Sequence, residues 1–374
     1  MIKKKSLYFD ATPLIEEHVS GVGKVLQETL KALDTEYFAN KYNLYIFVPF
    51  NEADKARRLG YTYIELKLLP YPHKFFSLFT RMRWAPPIDI FLGRGVYVFE
   101  NFRNCTLLFS KSITYVHDVA FKKYPQYIQE KNLAYLKKYI PLWISRADRV
   151  VAVSSSAKDE IEKELQLSDA AVVSNAVNTE EFYPRTEDEI AHIRGKWNIP
   201  KEYMIFIGNI EPRKNLVNTI KAFCTYVKNT GSKEALVLVG GGGWRNEDIM
   251  AEIETARQQG IEVIHPDTYV PDEDVPALIT GASALLQLSW HEGFGLPVLQ
   301  ALACGTPVAA SDITPLREVA ADNEDRVEFA TADDVGQLAR AIERAASKPH
   351  IAKPQHITTW HASVVELEKI IDTL

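Results

Sequence analysis

Trp290-His291-Glu292-Gly293-Phe294-Gly295-Leu296-Pro297-Val298-Leu299-Gln300 is preceded by the apolar run Ala284-Leu285-Leu286-Gln287-Leu288. It is followed by helix-spaced Ala301, Leu302 and Ala303, closing at Gly305-Thr306-Pro307. The order reads strand, glycine turn, helix, with Pro297 in a first helical turn where no amide donor is needed. Gly293 and Gly295 allow close backbone approach, and the free amides and dipole of the helix start favour an anion. Glu292 stands at the mouth of that turn, so the site suits a molecule carrying both phosphate and hydroxyl groups. By itself the stretch also fits a strand-to-helix turn that uses glycine for geometry alone.

The same pattern recurs upstream. Tyr203–Gly208 is a strand, Asn209-Ile210-Glu211-Pro212-Arg213-Lys214-Asn215 is its loop, and a helix follows from Leu216 to about Val227. Arg213 offers paired donors to phosphate and Lys214 a compact charge, at the sheet end shared with Glu292. Ala235–Val239 runs into Gly240-Gly241-Gly242-Gly243-Trp244, a loop with almost no side chains to hold a ligand off. Glu262-Val263-Ile264 is a further short strand, and Asp272-Glu273-Asp274 reads as the acidic cap of a helix, not a metal site.

The first half also alternates strand and helix. Its opening strand leads through Glu16–Leu26, with Gly21 and Gly23, into a helix that continues through Leu33. Gly21-x-Gly23 lacks the third glycine and the acidic residue of a dinucleotide fingerprint, which weakens a dehydrogenase reading. Asn43–Pro49 and Tyr63–Leu69 are strands. Ser112–Val119 carries His117 and Asp118 at its end, where a doubly wound sheet presents chemistry. Asp148–Ser154 and Ala171–Asn175 repeat the theme. Between Tyr71 and Phe102, aromatics interleave with Lys74, Arg81 and Arg83. That segment fits a surface resting on lipid headgroups or an acceptor cleft, but more readily a helix with its aromatics in the core and its arginines in water.

A chain of 374 residues with 46% apolar and 25% charged content is an ordinary globular protein, long enough for two domains. Three widely separated cysteines (Cys105, Cys224, Cys304) argue against a disulfide framework and for a reducing compartment. The N-terminal apolar run is too short for a signal peptide, and no stretch approaches the roughly 20 apolar residues of a membrane helix. The net charge of −6 hides a basic first half and an acidic second half. Any phosphate held by the second half must therefore be held by local groups.

Gly208–Asn215, Glu292–Leu299 and Ala303-Cys304-Gly305-Thr306-Pro307-Val308 together resemble glycosyltransferase family 4. Gly21-Val22-Gly23, Val116-His117-Asp118, Val151–Ser154 and Thr359-Trp360 extend the resemblance over nearly the whole chain. It implies an α/β protein of the GT-B fold, two Rossmann-like doubly wound domains facing across a cleft. The expected domains are 1–187 on the acceptor side, 188–350 for the nucleotide sugar, and a C-terminal helix in 351–374 crossing back to the first domain. It further implies that Arg213 and Lys214 hold the donor diphosphate. Glu292 would contact the donor sugar, with the amides around Gly293, Phe294, Gly295 and Leu296 near sugar and phosphate. His117 would lie by the sugar, Gly21 and Gly23 near phosphates or acceptor, Gly208 and Gly241 along the donor, and Tyr269 and Val270 beside the base.

Two positions depart from the family pattern. After seven intervening positions the family has a second glutamate gripping the ribose, which here is Gln300. That exchange is expected to weaken donor binding by about 1–2 kcal/mol without removing the chemistry. Ser174-Asn175-Ala176 also stands where the family has Pro-Asn-Gly.

The expected activity is metal-independent, retaining transfer of a hexose from a nucleotide diphosphate sugar, GDP-mannose first. The acceptor would be a hydroxyl of a glycan or lipid-linked saccharide. No cofactor and no nucleic-acid partner are expected, and the location is cytoplasmic, peripheral to the inner membrane face at most. A nucleotide-sugar epimerase of the same architecture and a non-catalytic sugar-nucleotide-binding subunit are the alternatives.

Overall fold

The computed structural model describes residues 4–16, 19–266, 268–354 and 356–374. Glu17 and His18 of the first glycine-containing stretch, and the Met1-Ile2-Lys3 start, lie outside the described residues.

The chain forms two compact units. The first takes residues 1–123, 130–175 and 360–374, and the second takes 124–129 and 176–359. The corresponding sequence expectations were boundaries at 187/188 and 350/351. The units instead divide at 175/176, before the first of these, and at 359/360, after the second. Within unit two, Val177 bridges to Thr359, with Val177 N donating to the Thr358 carbonyl at 3.1 Å.

Unit one is built on strands β1 (Lys5–Asp10), β2 (Tyr42–Pro49), β3 (Ile64–Leu69), β4 (Val96–Phe99), β5 (Lys111–Val116), β6 (Arg149–Ala152) and β7 (Ala171–Val172). They pair in parallel in the order β3-β2-β1-β4-β5-β6-β7. The order reverses direction between β1 and β4, the place where doubly wound sheets bind ligands. Sequence reading passed over β4, whose Val-Tyr-Val-Phe run is buried on both faces and so shows no alternation.

The C-terminal helix Trp360–Asp372 belongs to this first unit and packs beside the helix Gly21–Leu33. Its apolar side buries Trp360, Val364, Leu367 and Ile371. Polar ties complete the seam. Lys5 Nζ donates to the Ile371 carbonyl at 2.7 Å, Tyr42 Oη to Asp372 at 2.8 Å, and the Ser174 amide to Glu366 at 3.0 Å.

Unit two contains β8 (Tyr203–Ile207), β9 (Ala235–Val239), β10 (Val263–Ile264), β11 (Leu285–Gln287), β12 (Val308–Ser311) and β13 (Val327–Ala330). The order is β10-β9-β8-β11-β12-β13, again parallel, and it reverses between β8 and β11. Alternate residues feed two cores. Met204, Phe206, Leu236 and Leu238 pack on one face of the sheet, and Tyr203, Ile205, Val237 and Val239 on the other. Burial on both faces explains the unbroken apolar runs of these strands. The two strands beyond β11 escaped the sequence reading because they are short and sit among alanines or at an edge.

The Asp272–Asp274 triplet does stand at a helix start, a 3-10 turn leading into the helix Val275–Gly281 with Asp274 at its N-cap position. No side chain caps that helix, however, and Asp274 instead accepts from Lys196 Nζ at 2.6 Å and Trp197 Nε1 at 2.8 Å. Cys105, Cys224 and Cys304 are buried free thiols.

Candidate functional site

The loops leaving β8 and β11 stand side by side at the switch point of unit two. Gly208 takes φ +146° as the chain leaves β8, a conformation that L side chains rarely adopt. A 3-10 turn over Pro212–Lys214 then ends at left-handed Asn215, whose amide donates to the carbonyls of Leu288 at 2.9 Å and Ala332 at 2.8 Å. The Trp290 amide donates to the Arg213 carbonyl at 3.0 Å. These bonds lock the two loops together.

Arg213, Lys214 and Glu292 converge there. Lys214 Nζ lies 2.8 Å from Glu292 Oε1 and 3.0 Å from Oε2. Arg213 donates Nη1 to the His291 carbonyl at 2.8 Å and to Glu292 Oε2 at 3.4 Å, while its Nη2 sits 2.8 Å from Glu211 Oε1. Glu292 is 6% exposed, Lys214 9% and Glu211 2%. Two fully buried side chains complete the shell, Gln287 Nε2 donating to Glu292 Oε1 at 2.6 Å and Ser289 Oγ at 2.7 Å. Burial by itself would raise the Glu292 pKa, but Lys214 and Arg213 outweigh it and hold the carboxyl down at about 2. The result is a charge-balanced cluster of two cations and two carboxylates, its cations held at fixed positions in a low-dielectric setting.

Glu211, Gln287 and Ser289 were not singled out in the sequence. Gln287 and Ser289 did carry a signal, two polar residues at strand spacing within an otherwise apolar run, which burial requires to be hydrogen-bonded.

The glycines divide by role. A Cβ on Gly295, at φ +110°, would meet Leu316 Cδ2 at 2.4 Å, so this position needs glycine for packing as well as for its turn. Gly295 caps the helix Leu296–Ala303, with Pro297 in its first turn. The glycine run after β9 is partly structural, contrary to expectation. A Cβ on Gly240 would meet the Gly208 carbonyl oxygen at 1.9 Å, and one on Gly243 the Ile210 carbonyl oxygen at 2.6 Å. Gly242 has open space, and around Gly241 only Asn209 Oδ1 comes within reach, at 3.9 Å. Tyr269 is exposed and donates to Asp272 at 2.8 Å, whereas Val270 is buried in the core and offers no side chain to a ligand. Phe294, Leu296 and Gln300 are half-buried, and Gly293 lies in the loop between Glu292 and Phe294.

Residues 124–129, placed between β5 and β6 in sequence, belong to this unit. Trp244 Nε1 donates to the Tyr127 carbonyl at 2.9 Å, the Tyr127 and Trp290 rings stack at 6.4 Å, and Tyr124 lies 5.2 Å from the His291 ring. These aromatics border the Glu292 turn.

His117, Gly21 and Gly23 belong to unit one. His117 Nε2 donates to the Glu100 carbonyl at 2.6 Å, which fixes the tautomer with Nδ1 as the acceptor. Burial lowers the His117 pKa and keeps the ring neutral. Gly21 and Gly23 are not a loop. They form the first turn of the helix Gly21–Leu33, capped by Ser20 Oγ, which accepts from the Gly23 amide at 3.2 Å. A Cβ on Gly23 would meet Val19 Cγ1 at 2.6 Å, whereas among the described residues one on Gly21 meets nothing within 4 Å. Among the described residues no three His, Cys, Asp or Glu side chains are grouped as metal ligands.

Residues 19–181 match the family model described as Glycosyltransferase Family 4, and residues 189–358 match Glycosyl transferases group 1. The chain is 30% identical over 214 residues to the O-antigen chain mannosyltransferase B of Escherichia coli, covering 57% of this chain and 56% of that protein. It is 24% identical over 280 residues to the O-antigen chain mannosyltransferase RfbU of Salmonella typhimurium, covering 71% and 72%. It is 27% identical over 245 residues to the serotype-specific mannosyltransferase WbdA of Escherichia coli, where the match spans only 29% of the relative's length. The fold matches sucrose-phosphate synthase from Thermosynechococcus elongatus, with a TM-score of 0.69 at 16% identity over 99% of both chains. It also matches Anabaena HepE in complex with UDP and glucose, with a TM-score of 0.69 at 14% identity over 100% of both chains.

Proposed function

The chain belongs to glycosyltransferase family 4, and from that premise we propose that it is a retaining hexosyltransferase using a nucleotide diphosphate sugar. GDP-mannose is the proposed donor, and a hydroxyl of an O-antigen-type glycan or lipid-linked saccharide is the proposed acceptor. The O-antigen chain mannosyltransferase names of its relatives support mannose as the sugar and a glycan as the acceptor. The protein would work without a metal, peripherally at the inner face of a membrane.

One observation carries the reading: Arg213 and Lys214 are held on one buried carboxylate at the switch point of the second sheet. In the proposed reaction the C1–oxygen bond to the diphosphate breaks as the acceptor oxygen bonds C1 on the same face. The acceptor's proton passes to the departing phosphate oxygen. Negative charge grows on the diphosphate, and Arg213, Lys214 and the amides at the start of the helix Leu296–Ala303 are preorganised to stabilise it. Glu292 fixes both cations and presents a carboxylate edge to the sugar hydroxyls. Gln300 lies about one turn into that helix, suited to the ribose.

The test is incubation of the purified chain with GDP-mannose and a mannose-terminated acceptor, following GDP release and the anomeric configuration of the product by NMR, with and without chelator. The expected product is the α-mannoside, formed equally with chelator. A β-product, or GDP release abolished by chelation, would overturn this reading. A thermal-shift panel of sugar nucleotides identifies the donor independently, because the tightest ligand raises Tm most.

A further inference from the structure

The helix His73–Phe79 buries Phe76 but leaves Phe75 and Leu78 in solvent, and Met82 and Trp84 follow just beyond it. Trp84 is 83% exposed. The short helix Asp89–Leu92 turns Ile90 and Phe91 outward, and the loop before β5 exposes Leu108 and Phe109. These elements are joined. Phe75 packs on Phe79 at 6.1 Å, Phe79 on Tyr71 at 5.2 Å, and Tyr71 on Phe91 at 6.2 Å between ring centroids. Asp89 accepts from the Leu108 amide at 3.0 Å and the Phe109 amide at 2.7 Å, which fixes the loop beside the short helix.

A monomeric surface seldom exposes this many large apolar side chains together without a use. Its charge is one-sided. From residue 70 to residue 117 the carboxylates are Asp89 and Glu100, both buried, whereas Lys74, Arg83 and Arg94 are exposed. Arg94 lies over the Phe109 ring at 4.5 Å, a cation kept at the edge of an apolar patch. Aromatics flanked by bases, with no exposed acid in that stretch, match an anionic headgroup layer over acyl chains. Among the described residues no helix is long and apolar enough to cross a bilayer.

We propose that this face of the first unit docks on the surface of an anionic lipid bilayer, with Trp84, Phe91 and Phe109 inserted among the headgroups and Lys74, Arg83 and Arg94 on the phosphates. The proposal deepens, and rests on, the reading of the acceptor as lipid-linked. It specifies where the chain meets the membrane that would hold such an acceptor.

The test is flotation of the full chain with phosphatidylcholine vesicles that contain or lack phosphatidylglycerol. The chain is expected to float with the anionic vesicles, to float poorly with the neutral ones, and to be released by salt. The triple variant Trp84→Ser, Phe91→Ser, Phe109→Ser changes exposed side chains only. It is expected to lower vesicle partitioning about tenfold with an unchanged melting curve. Lys74→Glu with Arg83→Glu should remove the preference for anionic vesicles. Wild-type chain that stays with the soluble fraction, or a triple variant that floats like wild type, overturns the proposal. A concentration-dependent dimer lost in the triple variant, without vesicle binding, overturns it in favour of self-association. Transfer to a soluble acceptor is read separately, and Lys214→Ala should lose transfer yet still float. A failure of the docking surface and a failure of the transferase reading are thereby told apart.

Discussion

Glu292 receives Lys214 Nζ on both of its carboxylate oxygens, at 2.8 and 3.0 Å, in a setting where neither residue is more than 9% exposed. The cation proposed to bind the donor therefore also neutralises a buried acid. Removing Lys214 should accordingly disturb the fold as well as the donor site.

Lys214→Ala is expected to lower transfer by about 10²- to 10³-fold, the scale of losing one preorganised charge-stabilising donor. It should also destabilise the protein by about 3–5 kcal/mol, because Glu292 is left buried and poorly compensated. The double variant Lys214→Met, Glu292→Gln should recover much of that stability and none of the activity. Denaturant unfolding and initial rates on the same samples check both parts, and a single variant as stable as wild type would refute the coupling.

Gln287 and Ser289 hold Glu292 Oε1 without approaching its other oxygen in the same way. Ser289→Ala is expected to cost about 1–2 kcal/mol of stability through the lost hydrogen bond to a charged group. A parallel fall in kcat with little change in KM is the expected kinetic signature, since the cations would be displaced without losing their charge. A change confined to KM would argue against a positioning role.

Acid should weaken the second unit through Glu292. Its pKa is held at about 2, below the ordinary 4.5, so the stability it contributes is complete above pH 4.5 and is lost as pH falls through about 2. Glu292→Gln should flatten that part of the stability curve. Thermal melts across the acid range decide the point.

Glu100 predicts the opposite slope in the first unit. Its carboxyl is fully buried, and burial pushes its pKa up to about 8, with the neighbouring Thr29 hydroxyl offsetting only part. Folding therefore favours the protonated acid. The unfavourable contribution grows as pH rises from 4.5 towards about 8, reaching on the order of a few kcal/mol. Glu100→Gln should remove this loss and raise Tm at pH 8 and above, with little effect at pH 4. An unchanged Tm at alkaline pH would count against a protonated Glu100.

Gly21→Ala places a methyl where, among the described residues, nothing beyond its own turn lies within 4 Å, in a helical first turn. The expected Tm is unchanged or slightly raised, since alanine limits the unfolded chain by about 0.4–1 kcal/mol. Transfer should nevertheless fall, because the space is proposed to serve phosphates or acceptor. Undiminished transfer would remove Gly21 from the site.

The sequence by itself determined the doubly wound architecture and the main anchors of the second unit. Apolar strands such as Ala235–Val239, glycine or proline at the turns, and helical spacing after Leu216 and Leu296 are local signals, fixed by steric and hydrogen-bonding rules along a few residues. Arg213, Lys214 and Glu292 were legible because each follows a recognisable strand. What only the tertiary structure decided is which distant groups meet. Glu211, Gln287 and Ser289 join one network because β8 and β11 are neighbours in the sheet, although β9 and β10 separate them in sequence. Gly240 and Gly295 owe their identity to the Gly208 carbonyl and to Leu316, atoms brought close only by packing. Likewise, the exposure of Phe91 and Phe109 beside buried Phe76 depends on which faces find a core, and hydrophobicity along the chain cannot distinguish an aromatic that is covered from one left in water.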